Sequence, residues 1–134
     1  MRVKRYRDKI GYIVEHLEKV TIAPQNDLEK SGIFYELHTS IEAAVDLIAM
    51  YIKDRGFQVD DDYSNIDKLA ELGISTELAS NLKSCNGLRN RLVHFYDNFD
   101  EKLVFNAIDD VKTCLYAWIE VVEGFLDESE SNSS

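Results

Sequence analysis

The sequence is poor in the residues that break a chain or cross-link it. Its 134 residues include one proline, six glycines and two cysteines. This scarcity of proline and glycine excludes collagen-like and low-complexity structures. Cys85 and Cys114 lie far apart and belong to no CxxC pair or His/Cys cluster, so a structural zinc site is not expected. Both thiols are predicted to be small core residues of a reduced protein.

Long apolar runs and an excess of positive charge are also missing. Apolar runs such as 43–45 are far shorter than the roughly 20 residues of a membrane span. The charged start, residues 1–5, is not followed by an apolar stretch, so no signal peptide is predicted. The net charge of −10 argues against general electrostatic binding to nucleic acid, although it permits a local basic site. We expect one soluble, cytoplasmic domain.

Apolar residues instead recur at intervals of three and four, which predicts amphipathic helices. The first helix is predicted over residues 2–20, and Pro24 interrupts the chain after it. The second has the clearest pattern. It is predicted to run for roughly 25 residues from Asp27, a plausible N-cap, to a stop at Gly56. Such a helix is long enough to be the spine of a bundle.

Polar cap residues introduce the later helices. The segment 64–67 is predicted to cap a short helix, Ser75 to cap the next, and the last helix to begin at about Glu101. For the acidic run 60–62, a solvated loop is favoured over a metal site. No strand pattern is present, so the fold class is all-α, an up-and-down bundle of four or five helices. One domain is predicted over 1–127 and a disordered polar tail over 128–134.

One segment concentrates groups that could do chemistry. Residues 89–96 carry two arginines, an amide, an imidazole and a phenol, and Lys83 is close by. Arginine matches phosphate oxygens with a planar fork of donors, so Arg89, Arg91 and Lys83 are candidates to bind a phosphate. His94 can pass protons near neutral pH. Because RNA brings its own 2′-hydroxyl nucleophile, a base and a phosphate clamp could cleave it without a metal ion.

The spacing of these two residues sets a condition on their geometry. Arg89 and His94 are five residues apart, which is about 140° around a regular helix. They can serve one phosphate only if the helix bends or ends there, or if sites are completed across a dimer. Gly87 is a candidate for a bend. A buried histidine and a salt-bridged arginine near a helix end remain the alternative on residue types alone.

The order of Arg89, four residues, His94, one residue and Tyr96 resembles the signature of HEPN domains. The string 88–96 is similar to the "RN-x-LVH-x-Y" motif of HepT-like toxins, which belong to prokaryotic toxin–antitoxin pairs. The helix around 41–48 and the segment that begins at Asp62 fit the same pattern. The resemblance covers most of residues 5 to 125.

This resemblance implies a HEPN-like, all-helical homodimer that acts as a metal-independent endoribonuclease without a cofactor. Arg89 and His94 would be the catalytic pair, and Asn90 would support them. Tyr96 would be the residue to which a minimal nucleotidyltransferase antitoxin, of the MntA type, adds AMP. The added phosphate would then block an RNA phosphate by charge and bulk.

Two carboxylates and two other functions complete the predictions. Glu42 and Asp46 lie one turn apart on the second helix and could orient the basic pair, or they could form an exposed or dimer-facing acidic edge.

The chain could also be a non-catalytic nucleotide-binding module that partners a minimal nucleotidyltransferase. A helical scaffold in which the motif is only structural is the third possibility.

Overall fold

The computed structural model describes residues 2–94 and 100–132, with side chains through Glu130. Within these ranges the chain forms five α-helices and no strand, which confirms the predicted all-α bundle. The helices are α1 (Val3–Glu18), α2 (Asp27–Asp54), α3 (Asp62–Glu71), α4 (Thr76–Val93) and α5 (Glu101–Asn132).

Contacts along α2 show how the long helices are arranged. Ring centroids lie 5.5 Å apart for Phe34 and Phe105, and the same distance apart for Tyr51 and Trp118. The residue numbers of the contacting pairs increase in the same direction along α2 and α5, so the two helices run parallel. The Tyr6 hydroxyl donates to Asp54 at 2.6 Å near the end of α2, so α1 runs antiparallel to α2. Helix α2 is therefore the spine that the pattern predicted.

The N-terminus of α2 is capped one residue earlier than predicted. The Asn26 side chain accepts a hydrogen bond from the Glu29 backbone N–H at 2.9 Å. Asn26 is extended, with φ −158° and ψ 175°, whereas Asp27 is already helical. The cap is thus Asn26, because only the extended residue can turn its side chain back onto the first turn. The predicted stop at Gly56 is confirmed by a left-handed φ of 92°.

Helix α3 also begins earlier than predicted, within the acidic run. Asp61 accepts hydrogen bonds from the backbone N–H of Ser64 at 2.9 Å and from its hydroxyl at 3.1 Å, and is the N-cap. The predicted cap over residues 64–67 already lies inside the helix. Acidic residues at this position are favoured by the positive end of the helix dipole. As a result, Asp62 is a first-turn residue of α3.

The remaining helices agree more closely with the pattern. The Ser75 hydroxyl accepts the Leu78 N–H at 3.1 Å and caps α4, as predicted. Helix α5 continues five residues into the segment predicted as a tail, where Arg7 contacts Glu130 at 2.8 Å. No glycine or proline interrupts this stretch. Among the described residues, no helix is long and apolar enough to cross a membrane.

Candidate active site

Arg89 lies near the end of α4, where three helices meet. Its Nη2 donates to the Asn90 side-chain oxygen at 2.9 Å and to Asp62 Oδ2 at 3.3 Å. Its Nη1 lies 3.9 Å from Glu42 Oε1. The Arg89 side chain is only 20% exposed. Acceptors from α2, α3 and α4 therefore hold one half-buried guanidinium group at the surface of the bundle.

The two carboxylate contacts of Arg89 are long for ion pairs. Charge-assisted hydrogen bonds from nitrogen to a carboxylate are typically about 2.7–2.9 Å. The distances to Asp62 and Glu42 exceed that range, and the side chains of these acids are 38% and 49% exposed. Water competes for such groups, which weakens each pair. An incoming phosphate could therefore replace either carboxylate at small cost.

Glu42 has a second contact on its other side. His38 Nδ1 lies 3.7 Å from Glu42 Oε2, an ion pair only when the imidazole is protonated. His38 is one helical turn before Glu42 on α2, and its side chain is 29% exposed. Glu42 thus lies between an imidazole and the Arg89 guanidinium.

His94 lies where the helical geometry of α4 stops. It is the C-cap residue, with φ −107° and ψ 31°, and its backbone N–H donates to the Arg91 carbonyl at 3.1 Å. Its side chain is exposed. Helix α4 therefore ends at Val93, directly before His94, and the four residues between Arg89 and His94 are helical.

The bend predicted at Gly87 is absent, and Gly87 instead lies in the contact between α3 and α4. Helix α4 is continuous through Gly87, so its end rather than a bend separates Arg89 from His94. A Cβ atom at Gly87 would lie 3.6 Å from the Tyr63 hydroxyl. This is an ordinary van der Waals contact, and it shows that the first turn of α3, which carries Asp62, packs against α4 at Gly87.

Other predicted site residues lie away from the Arg89 side chain. Lys83 pairs with Asp67 on α3. Asp46, one helical turn after Glu42 on α2, has its carboxylate 3.7 Å from the Lys9 ammonium group. Arg91 is exposed and about 200° around the helix from Arg89. Tyr96 lies outside the described residues.

Two contributors to the site were not predicted from sequence. Asp62 was expected in a loop, and His38 was assigned no role. Both are separated from Arg89 by long stretches of chain, and helical periodicity carries no signal for such contacts. The sequence did offer one indication of the position of Asp62. Asp61 is a suitable N-cap, and a helix that it caps would begin at Asp62.

The acidic run and the cysteines have structural explanations. Asp60 accepts from Lys68 at 2.7 Å, Asp61 caps α3, and Asp62 contacts Arg89. Across residues 2–94 and 100–132, no group of three or more His, Cys, Asp or Glu is placed to hold a metal ion.

Cys85 and Cys114 are buried free thiols, as predicted. Contact with Cys114 and burial raise the pKa of Cys85 well above its ordinary value.

The fold and the site together define an all-helical protein with a HEPN-type Arg-x₄-His motif at the end of one helix. Comparison with known proteins agrees. The family model described as "Ribonuclease HepT-like" matches residues 3–122, nearly the whole chain. The chain belongs to this HepT-like family of ribonucleases.

Individual relatives support the same assignment. A protein named "Putative RNase" from Archaeoglobus fulgidus is 50% identical over 131 residues, which is 97% of this chain and 99% of the relative. A second protein of that name and organism is 33% identical over 125 residues, 92% and 95% of the two chains. The protein named "tRNA nuclease HepT" from Aphanizomenon flos-aquae is 34% identical over 109 residues, 74% and 72% of the two chains.

Proposed function

We propose that this protein is a metal-independent endoribonuclease toxin of a toxin–antitoxin pair, in which Arg89 and His94 act on the scissile phosphate. One observation carries the proposal. A half-buried guanidinium, held by acceptors from three helices, lies on the helix that His94 terminates. In a family of ribonucleases, this pairing of a phosphate-binding group with a titratable imidazole suits RNA cleavage.

The proposed reaction needs no group beyond the chain and the RNA. The His94 imidazole accepts the proton of the 2′-hydroxyl, and the resulting oxygen attacks the adjacent phosphorus. The bond from phosphorus to the 5′-oxygen breaks, and that oxygen takes up the proton that the His94 imidazolium now carries. The products are a 2′,3′-cyclic phosphate and a 5′-hydroxyl. Arg89 stabilises the charge that develops on the non-bridging oxygens.

The acceptors around Arg89 orient it without saturating it. Asn90 makes the shortest contact, at 2.9 Å, and is neutral, so it directs the guanidinium without competing as an anion for the phosphate site. Asp62 and Glu42 balance the charge while the site is empty of RNA. Since both carboxylate contacts are long and exposed, a phosphate can displace them when substrate binds.

Regulation is proposed to act beside the same residues. A minimal nucleotidyltransferase antitoxin of the MntA type would add AMP to Tyr96, two residues after His94. The new phosphate would compete with RNA for Arg89 and repel its backbone. The substrate class proposed for this chain is tRNA, on the strength of the relative named "tRNA nuclease HepT".

A homodimer is part of the proposal. A groove of about 830 Å³ lies between α4 and α5, and its lining mixes apolar residues such as Leu78, Leu88 and Val121 with acidic and other polar residues. A second copy of the chain could cover this surface and bring the ends of two α4 helices together. Light scattering at several protein concentrations measures the mass in solution, and we expect the mass of two chains.

The test is cleavage of labelled tRNA and mRNA by purified protein in the presence of a chelator, with His94→Ala prepared identically. We expect wild type to cut the RNA and His94→Ala to lose at least about a hundredfold in rate, the lower end of the range for general acid–base catalysis. Intact mass must first show that Tyr96 of the wild-type sample carries no AMP. Absence of cleavage by that unmodified protein would contradict the ribonuclease proposal and favour the nucleotide-binding module.

A further inference from the structure

Asn86 is a polar residue buried without a partner. It lies on α4, its side chain is in the core, and the residue is 1% exposed. Within the described residues, neither its amide nitrogen nor its carbonyl oxygen has a hydrogen-bond partner. Burying an amide in this way opposes folding, and native proteins rarely retain such groups without a reason.

A second unpartnered group lies one turn further along the same helix. Arg89 Nε is also buried and has no hydrogen-bond partner in the described part of the chain. Residues three apart on a helix are neighbours, with Cβ atoms about 5–6 Å apart. One group is a donor, and the other includes an acceptor oxygen. A hydrogen bond between them, direct or through one bridging water, would give a partner to Arg89 Nε and to the Asn86 amide oxygen.

We propose that Asn86 is a positioning residue for Arg89, whose Nε–H donates to the Asn86 amide oxygen directly or across one water molecule. The inference rests on the proposed role of Arg89 in RNA cleavage. Nη2 already donates to Asn90 and Asp62, and Nη1 faces Glu42 at 3.9 Å. An acceptor at Nε would set the plane of the guanidinium from its inner edge and leave the outer edge for the phosphate.

The surroundings of this turn favour such a bond. The Tyr63 hydroxyl lies 3.6 Å from the position that a Cβ atom of Gly87 would take, so α3 packs closely over this turn. Asn86 is 1% exposed and Arg89 Nε is buried, and hydrogen bonds are stronger in such a water-poor environment than at an exposed surface. The exposed acidic side of Arg89 can exchange partners, whereas the inner side is protected. Asn86 would therefore hold the arginine in place while phosphate replaces the carboxylates.

The experiment uses ¹⁵N-labelled protein and follows the Arg89 Nε–H signal, assigned by its loss in Arg89→Lys. In wild type we expect slow exchange of this proton with water. Asn86→Leu, which has a similar shape but no acceptor, should speed the exchange and shift the signal. It should also lower kcat for RNA cleavage by about ten- to a hundredfold, the range of one hydrogen bond to a charged group.

Two further variants separate positioning from a structural role. Asn86→Asp retains the acceptor oxygen and should keep both the protected signal and most of the activity. Trp118→Phe is the matched control because Trp118 Nε1 is another buried donor without a partner among the described residues. Removing it should change neither the Arg89 signal nor kcat. If Asn86→Leu does not fold, Asn86→Ala takes its place.

The outcomes are distinct. An unchanged Arg89 Nε–H signal in the folded Leu or Ala variant overturns the inference, whatever the activity. A higher unfolding temperature with unchanged kcat would show that Asn86 is only a structural cost, and also overturns it. If wild type fails to cleave RNA but the signal responds to Asn86 as expected, the positioning role stands and only the proposed function fails.

Discussion

Arg89 is held by groups of unequal strength, and this inequality suits the role proposed for it, which is to bind and release phosphate. The neutral Asn90 oxygen is the nearest acceptor, at 2.9 Å. The two carboxylates are further away and partly hydrated. A shorter ion pair would hold the guanidinium more firmly but would compete with the substrate for the same donors. Asn90 thus orients the guanidinium, whereas the weak contacts with Asp62 and Glu42 leave its donors available to a phosphate.

Neutralising Asp62 should therefore tighten RNA binding. Asp62→Asn keeps the size and the acceptor oxygen but removes a negative charge 3.3 Å from Nη2. We expect KM for RNA to fall by about two- to fivefold, the range of one partly exposed ion pair. Steady-state kinetics at fixed salt measures it. The same substitution at Asp60, which pairs with Lys68, is the control and should leave KM nearly unchanged. A rise in KM for Asp62→Asn would contradict this competition.

The ends of helices, rather than their middles, place the site. Helix α4 stops at Val93, and this stop releases His94 from helical geometry. Helix α3 starts at Asp62 because Asp61 caps it, and this start places Asp62 beside Arg89. Capping interactions therefore contribute to the geometry of the candidate site as well as to stability.

The Asp61 cap should make stability depend on pH. Hydrogen bonds from the Ser64 N–H and hydroxyl hold the pKa of Asp61 below its ordinary value. A lowered pKa in the folded state adds stability above the unfolded-state pKa of about 4, and this stability is lost as pH falls through the folded-state pKa. Asp61→Asn should therefore lose less stability than wild type on acidification.

Calorimetric unfolding temperatures from pH 7 down to pH 3 measure this difference. Asp109→Asn removes the same charge from an exposed position on α5 and is the control for net charge. The cap explanation predicts that Asp61→Asn alone flattens the acid limb of the curve. Equal curves for wild type and Asp61→Asn would argue against it.

For the whole molecule, the long helices bury one continuous core around α2. Trp118 is fully buried on α5 and packs edge-on against Tyr51 of α2. Its loss leaves a large cavity that the rigid helices cannot close. The same core fixes the relative position of α2 and α4, and hence that of Glu42 and Arg89. Stability of the bundle and geometry of the site are therefore linked.

Trp118→Ala should lower the free energy of unfolding by about 3–5 kcal/mol. Denaturant titration followed by circular dichroism measures the change. Tyr116, on the same helix but 39% exposed, is the matched aromatic control, and Tyr116→Ala should stay within about 0.5 kcal/mol of wild type. Comparable losses for both variants would indicate that the core is not centred on the α2–α5 contact.

The sequence by itself determined most of the fold. Apolar residues at intervals of three and four predicted the helices, because this spacing places them on one helical face. Ser75 and Gly56 marked a helix start and a helix end by local chemistry alone. The family was also recognisable, since Arg89, His94 and Tyr96 keep their order in the chain. All of these signals come from residues that are close in sequence.

Only the tertiary structure decided what surrounds Arg89. Glu42 and Asp62 reach it from other helices, and Asp46 turns to Lys9 instead. These pairings depend on how whole helices pack and where they begin, and periodicity records neither. The burial of Asn86 beneath Arg89 is of the same kind, because a single asparagine within a helical pattern does not reveal which neighbours enclose it.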